Sequence, residues 1–126
     1  MPVKLKAIAL GNPGDPSAPK KYFAQTSSNG ELSLRQLAIN ISDGSTLRTT
    51  DVMAAIEGLL QEIHKGLIEG KLIRLGDFGS FGIRIHSGGY DTAEEVTARV
   101  VDKVKIIFRP GKVLEIIPRD LQFVRE

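Results

Sequence analysis

The sequence predicts an α+β fold: two helices, then a three-stranded antiparallel sheet and a short helix, with a strand pair in front and a strand behind. Three observations carry this prediction. Apolar residues between positions 34 and 67 recur at helical spacing. Those of 81–85 and 104–108 alternate with a period of two. The run Gly11-Asn12-Pro13-Gly14-Asp15-Pro16 gathers turn formers between two stretches of β-type composition.

The opening pair joins Val3-Lys4-Leu5-Lys6-Ala7-Ile8, which alternates, to Lys20-Lys21-Tyr22-Phe23-Ala24-Gln25-Thr26 through a long loop. Ser33-Leu34-Arg35-Gln36 fits a capping box, and Leu34, Leu37, Ala38 and Ile41 form one apolar face of a first helix ending near Asp43-Gly44. A second helix follows, capped by Thr49 or Thr50, with Asp51 complementing its dipole, and ends around Glu69-Gly70. Val52, Ile56, Leu59, Leu60, Ile63 and Leu67 trace its stripe. At about 20 residues it is roughly 30 Å long, more than the short first helix can cover. A second copy of the chain is expected to cover the rest. Gly58 is either a close helix crossing or a tolerated cost of roughly 1 kcal/mol.

Beyond residue 70 the pattern becomes that of strands. Residues 71–75 form one, Gly76-Asp77-Phe78-Gly79 turns, and Phe81, Ile83 and Ile85 alternate with Gly82, Arg84 and His86. A returning strand over 101–109 puts Val104, Ile106 and Phe108 on one face and Lys103, Lys105, Ile107 and Arg109 on the other. If the two pair antiparallel, their basic residues share a surface. Between them, Ser87-Gly88-Gly89-Tyr90 is turn-like and Thr92-Ala93-Glu94-Glu95 starts a helical turn. Residues 110–117 form a short helix stopped by Pro118, and Leu121-Gln122-Phe123-Val124 is a last strand expected to pair with the opening hairpin. The expected organisation is a hairpin extension at 1–31, a central body at 32–117 and a tail at 118–126, in one compact domain.

Composition narrows the function. The chain has 126 residues, 41% of them hydrophobic, which permits a core without staples, and no Cys, which removes disulfides, thiolate metal sites and thiol nucleophiles. A reducing, cytoplasmic location is expected, and no apolar run approaches the roughly 18 residues of a membrane span, so neither insertion nor export is expected. His64 and His86 lack a second ligand at metal spacing, Glu94-Glu95 suits a helix start better than an acid–base pair, and Asp77-Phe78-Gly79 is a turn rather than a kinase triplet. With no Walker loop, nucleophile elbow or dinucleotide fingerprint, no enzyme activity, cofactor, metal or small-molecule substrate is expected. The net charge of +2 leans towards an acidic partner.

Two strings, Gly76-Asp77-Phe78-Gly79-Ser80-Phe81 and Phe108-Arg109-Pro110-Gly111-Lys112, joined to this order of elements, resemble the bacterial histone-like proteins of the HU and integration host factor family. The likeness covers roughly residues 32–117. The added hairpin and tail, with Ala18-Pro19-Lys20-Lys21-Tyr22-Phe23-Ala24-Gln25, resemble an extended branch of it found in gut bacteria. The resemblance implies an intertwined homodimer, a saddle of two sheets with protruding arms, and a nucleoid-associated role in binding and condensing double-stranded DNA largely without regard to sequence. It implies DNA contact through Arg84, Lys103, Lys105, Arg109, Lys112, Arg99 and the backbone near Gly79 and Ser80. It also implies a dimer interface formed by Val52, Ile56, Leu59, Leu60, Ile63, Phe78, Phe81 and Phe108.

The chemistry is consistent with that, since phosphates attract Lys and Arg and release counterions on binding. Two features depart from the family pattern. Family arms carry a proline that wedges between base pairs, but no proline lies between Pro19 and Pro110 here. The arm segment 82–105 balances Arg84, Arg99, Lys103 and Lys105 against Asp91, Glu94, Glu95 and Asp102. Only Tyr90 or Val96 is left to serve as a wedge. A competing expectation is therefore a dimeric protein-interaction scaffold with a histone-like body, whose extra strands accept a partner strand.

Overall fold

The computed structural model describes residues 2–126, which fall into two compact units. The first comprises residues 2–33 and Ile117–Glu126, and the second Leu34–Ile116.

In the first unit, β1 (Val3–Leu10) pairs antiparallel with β2 (Lys21–Ser27), the expected hairpin. Its loop is held by local side-chain bonds: Gly14 N–H donates to Asn12 Oδ1 (2.9 Å), and Asp15 Oδ1 accepts from Ser17 N–H (3.2 Å) and Ser17 Oγ (2.7 Å). Beyond residue 116, a helical turn α4 (Ile117–Asp120) leads to β6 (Phe123–Arg125), which runs parallel to β1 with Val3 opposite Phe123. The tail thus joins the hairpin, in the order β2-β1-β6. Pro118 does not stop a helix as expected. It sits in the first turn of α4, where a missing N–H removes no helical bond.

The bonds from Ser17 hold the exposed Asp15 carboxyl below its ordinary pKa of 3.8, the Ser17 hydroxyl being the largest cause. A carboxyl depressed in the folded state stabilises above its unfolded pKa, and that contribution is lost as pH falls through the lowered folded value. An NMR titration is expected to place the Asp15 midpoint below 3.8, and Ser17→Ala to raise it. An unmoved midpoint in that variant would contradict the assignment.

In the second unit, α1 (Leu34–Asp43) and α2 (Thr49–Ile68) form the expected pair. Thr49 and Thr50 do not cap α2. Both lie inside it, and Arg48 is the cap, its carbonyl accepting from Val52 N–H (3.0 Å) with no side-chain cap bond. Gly58 stands among Asp51, Glu62 and Lys65 on the helix face away from the apolar stripe, with nothing within 4 Å of where a Cβ would be. It is a tolerated cost, so Gly58→Ala is expected to stabilise by about 1 kcal/mol in thermal melts. Gly66, by contrast, is buried where a Cβ would strike Ile73 Cδ1, which brings α2 close to β3 (Ile73–Arg74). This strand is shorter than the expected 71–75. Lys71 N–H is drawn back to close α2 on the Gly66 carbonyl (2.9 Å), while Leu75 N–H donates to the Gly79 carbonyl (2.9 Å), in line with the register that sets Arg74 opposite Ser80.

The strands β4 (Gly79–Ser87) and β5 (Val101–Pro110) pair antiparallel and complete the order β3-β4-β5. Two 3₁₀ turns, Ala93–Glu95 and Ala98–Val100, fold the tip between them, and α3 (Lys112–Glu115) follows β5. Little of this is interior. Among the described residues only Ala38, Val52 and Leu67 are buried hydrophobics.

Candidate nucleic-acid interface

The two sequence strings lock onto each other. Gly79 lies opposite Pro110, Gly111 N–H donates to the Phe78 carbonyl (2.8 Å), and Val113 N–H donates to the Asp77 carbonyl (3.1 Å). Both glycines are required by space. Gly79 has φ +154°, and a Cβ there would meet the Arg109 carbonyl at 2.6 Å, while one on Gly111 would strike the Asp77 carbonyl. The Phe108 ring packs beside Phe81 (centroids 4.8 Å apart) and Phe78 (5.9 Å). The register of β4 against β5 is fixed by these contacts.

That register sorts the charges. Opposed residues of an antiparallel pair share a face, so Ser80 with Arg109, Arg84 with Lys105 and His86 with Lys103 line one side, and Arg74 joins them opposite Ser80. Phe81, Ile83, Ile85, Val104, Ile106 and Phe108 line the other. Directly opposed like charges such as Arg84 and Lys105 weaken a sheet when nothing neutralises them. Among the described residues, Arg74, Arg84, Lys103, Lys105 and Arg109 make no ion pair; the one carboxylate bonded on this face is Asp102, 2.8 Å from His86 Nδ1. Gly82 and Ile107 lie between the charges, beside a shallow hollow of about 150 Å³ that Ser80, Arg84 and Arg109 help to line. This arrangement can hold a row of anionic groups along the strands.

Arg84, Lys103, Lys105 and Arg109 are therefore brought together, with Ser80 half-buried among them. Lys112, the last residue of the second string, opens α3 and is exposed. Gly79 is buried, so it shapes the turn instead of facing solvent. Arg99 stands on the second 3₁₀ turn, outside the strands. The tip it shares with Asp91, Glu94 and Glu95 carries a net negative charge, so the neutral segment is divided into a basic ladder and an acidic end. Sequence reasoning missed Arg74. The signal was its alternation with Ile73 and Leu75 in the strand read at 71–75.

Of the residues expected at a dimer interface, Val52 is already buried within the chain. Leu59, Leu60, Phe78 and Phe108 remain exposed, and Ile56, Ile63 and Phe81 are half-buried. No helix among the described residues is long and apolar enough to cross a membrane.

A family model described as "HU domain fused to wHTH, Ig, or Glycine-rich motif" matches residues 1–125. The chain is 34% identical over 92 residues to the integration host factor subunit alpha of Marinomonas sp. (strain MWYL1), a match covering 68% of this chain and 90% of that one. It also resembles a solved structure from Bacteroides vulgatus ATCC 8482, described as a "Putative bacterial DNA binding protein", with a TM-score of 0.62 and 13% identity. That match covers 97% of this chain and 47% of the other, so the chain spans about half the length of that relative, and the likeness speaks for the fold alone.

Proposed function

The chain belongs to the HU and integration host factor family, in the branch whose HU domain is fused to further motifs, and from that premise we propose that it is a histone-like protein that binds double-stranded DNA as a homodimer. Proteins of this family are architectural and not enzymes. The observation that carries the reading is the ladder of Arg74, Arg84, Lys103, Lys105 and Arg109 on one sheet face, none of them ion-paired with a carboxylate among the described residues. Such a ladder contacts the phosphate backbone, which carries no base sequence, so binding is sequence-tolerant and dependent on salt.

The homodimer is supported by surface area. The chain exposes 10632 Å², whereas a compact body of this mass exposes about 6,600 Å² and two separate bodies of the two units' sizes about 8,000 Å². Large apolar side chains are among what is exposed, including the side of β4 and β5 turned away from the ladder, where Val104 and Ile106 are 63% and 67% exposed. A second copy supplies the matching surface by symmetry.

Fluorescence anisotropy with a random duplex at several salt concentrations tests the reading. Affinity is expected to fall steeply with salt, and Arg84→Ala or Lys105→Ala each to lower the slope of log affinity against log salt by about two, since every substitution occurs twice in a dimer. An affinity indifferent to salt would overturn it.

The arm's tip is acidic and proline-free, which disfavours its entry between base pairs, so the complex is expected to leave the duplex nearly straight. End-to-end energy transfer across a short bound duplex checks this. A large rise in transfer on binding would contradict it.

A further inference from the structure

The sheet of the first unit has two free edges of unlike character. The β6 edge is three residues long, ends in Arg125 and is followed by Glu126, so it is guarded by shortness and charge. The β2 edge has none of these guards along most of its length. It runs seven residues, carries no proline, pairs with β1 without a bulge, and is uncharged from Tyr22 to Ser27. Residues 21–26 are all exposed, Tyr22 by 75%. One side of this strand leaves its alternate N–H and C=O groups without a strand to bond.

We propose that β2 pairs antiparallel with β2 of a second copy, about a two-fold axis through Ala24. The occupant is identified by the complementarity of the strand with itself. Ala24 is the midpoint of β2, so pairing centred there engages the full length, with Lys21 facing Ser27, Tyr22 facing Thr26 and Phe23 facing Gln25. Its only charge meets a hydroxyl and never its own image, and each aromatic ring meets a smaller polar side chain. The first unit also gains from a wider sheet, because it has only three strands and none of its described residues is buried. Pairing makes a continuous six-stranded sheet, β6-β1-β2 and its two-fold image, and buries the one unguarded edge. This contact is separate from the apolar surfaces of the second unit and does not depend on DNA binding.

The chain contains no cysteine, so a single Ala24→Cys substitution reports directly. Residues opposed across an antiparallel pair have Cα atoms about 4.5 or 5.5 Å apart, both within disulfide range. Under mild oxidation Ala24→Cys is expected to form a covalent dimer on the order of 100-fold faster than Ala9→Cys, which lies on the central strand opposite Tyr22. Hydrogen exchange on the unsubstituted protein gives a second readout. Every amide from Lys21 to Ser27 is expected to be protected, whereas an open edge protects only alternate ones. Ala24→Lys, which sets two ammonium groups face to face across the axis, is expected to return the outward amides to unprotected rates. Equal crosslinking of the two cysteine variants, or free exchange of alternate β2 amides in the unsubstituted protein, overturns the proposal.

Discussion

Purified alone, the chain is expected to sediment at twice 13.7 kDa and to melt at a temperature that rises with its own concentration. The reason is the small interior of one chain. Ala38, Val52 and Leu67 are its only buried hydrophobics among the described residues, while Leu59 and Leu60 on α2 are each 47% exposed and Ile68 at its end 73%. Leu60→Glu removes two leucines from each dimer, at about 2 kcal/mol apiece before any cost of burying a carboxylate. Dissociation is expected to rise on the order of 1,000-fold, with loss of helical circular dichroism at the same concentrations. Sedimentation at several loading concentrations is the check. A folded, concentration-independent species of single-chain mass would refute the homodimer. A chain that folds only when a different subunit is added would replace it with a heterodimer.

The second large effect is expected at the interlocked strings. Gly79→Ala forces a side chain to φ +154° and against the Arg109 carbonyl at 2.6 Å and the Phe108 ring at 2.7 Å. Backbone atoms cannot swing aside as a flexible side chain can, so the strain and the displaced pairing together are expected to cost about 3 kcal/mol. For a domain of this size that lowers the melting temperature by roughly 10 °C. Gly111→Ala is expected to do as much, because its Cβ would strike the Asp77 carbonyl and push Gly111 N–H away from Phe78. Differential scanning calorimetry reads both. Because the strings fix the register of β4 and β5, DNA affinity should fall in these variants although neither substitution changes a charge.

Much of this was legible in the residues. The alternation of Phe81, Ile83 and Ile85, answered by Val104, Ile106 and Phe108, fixed both strands and their basic face, because a period of two leaves no freedom in which side each residue takes. The stripe of α2 was equally plain. What escaped depended on hydrogen bonds that pattern does not record. Arg74 lay within the strand read at 71–75, but its place on the basic face depends on the pairing that sets it opposite Ser80, which the pattern does not record. Thr49 resembled a cap by type, yet the helix begins one residue too early for it. Pro118 resembled a stop, but a proline ends a helix only where its missing amide would have been used. Arg99 was grouped with the other cations by charge, and the second 3₁₀ turn that separates it from them has no periodic signature.

The parallel pairing of β1 with β6 bears on how the protein is made. A ribosome delivers the hairpin before the third strand of its sheet, which follows only after the whole second unit has emerged. Throughout that interval the nascent hairpin has two bare flanks, and any β-prone segment nearby competes for the place that Phe123 and Val124 later occupy.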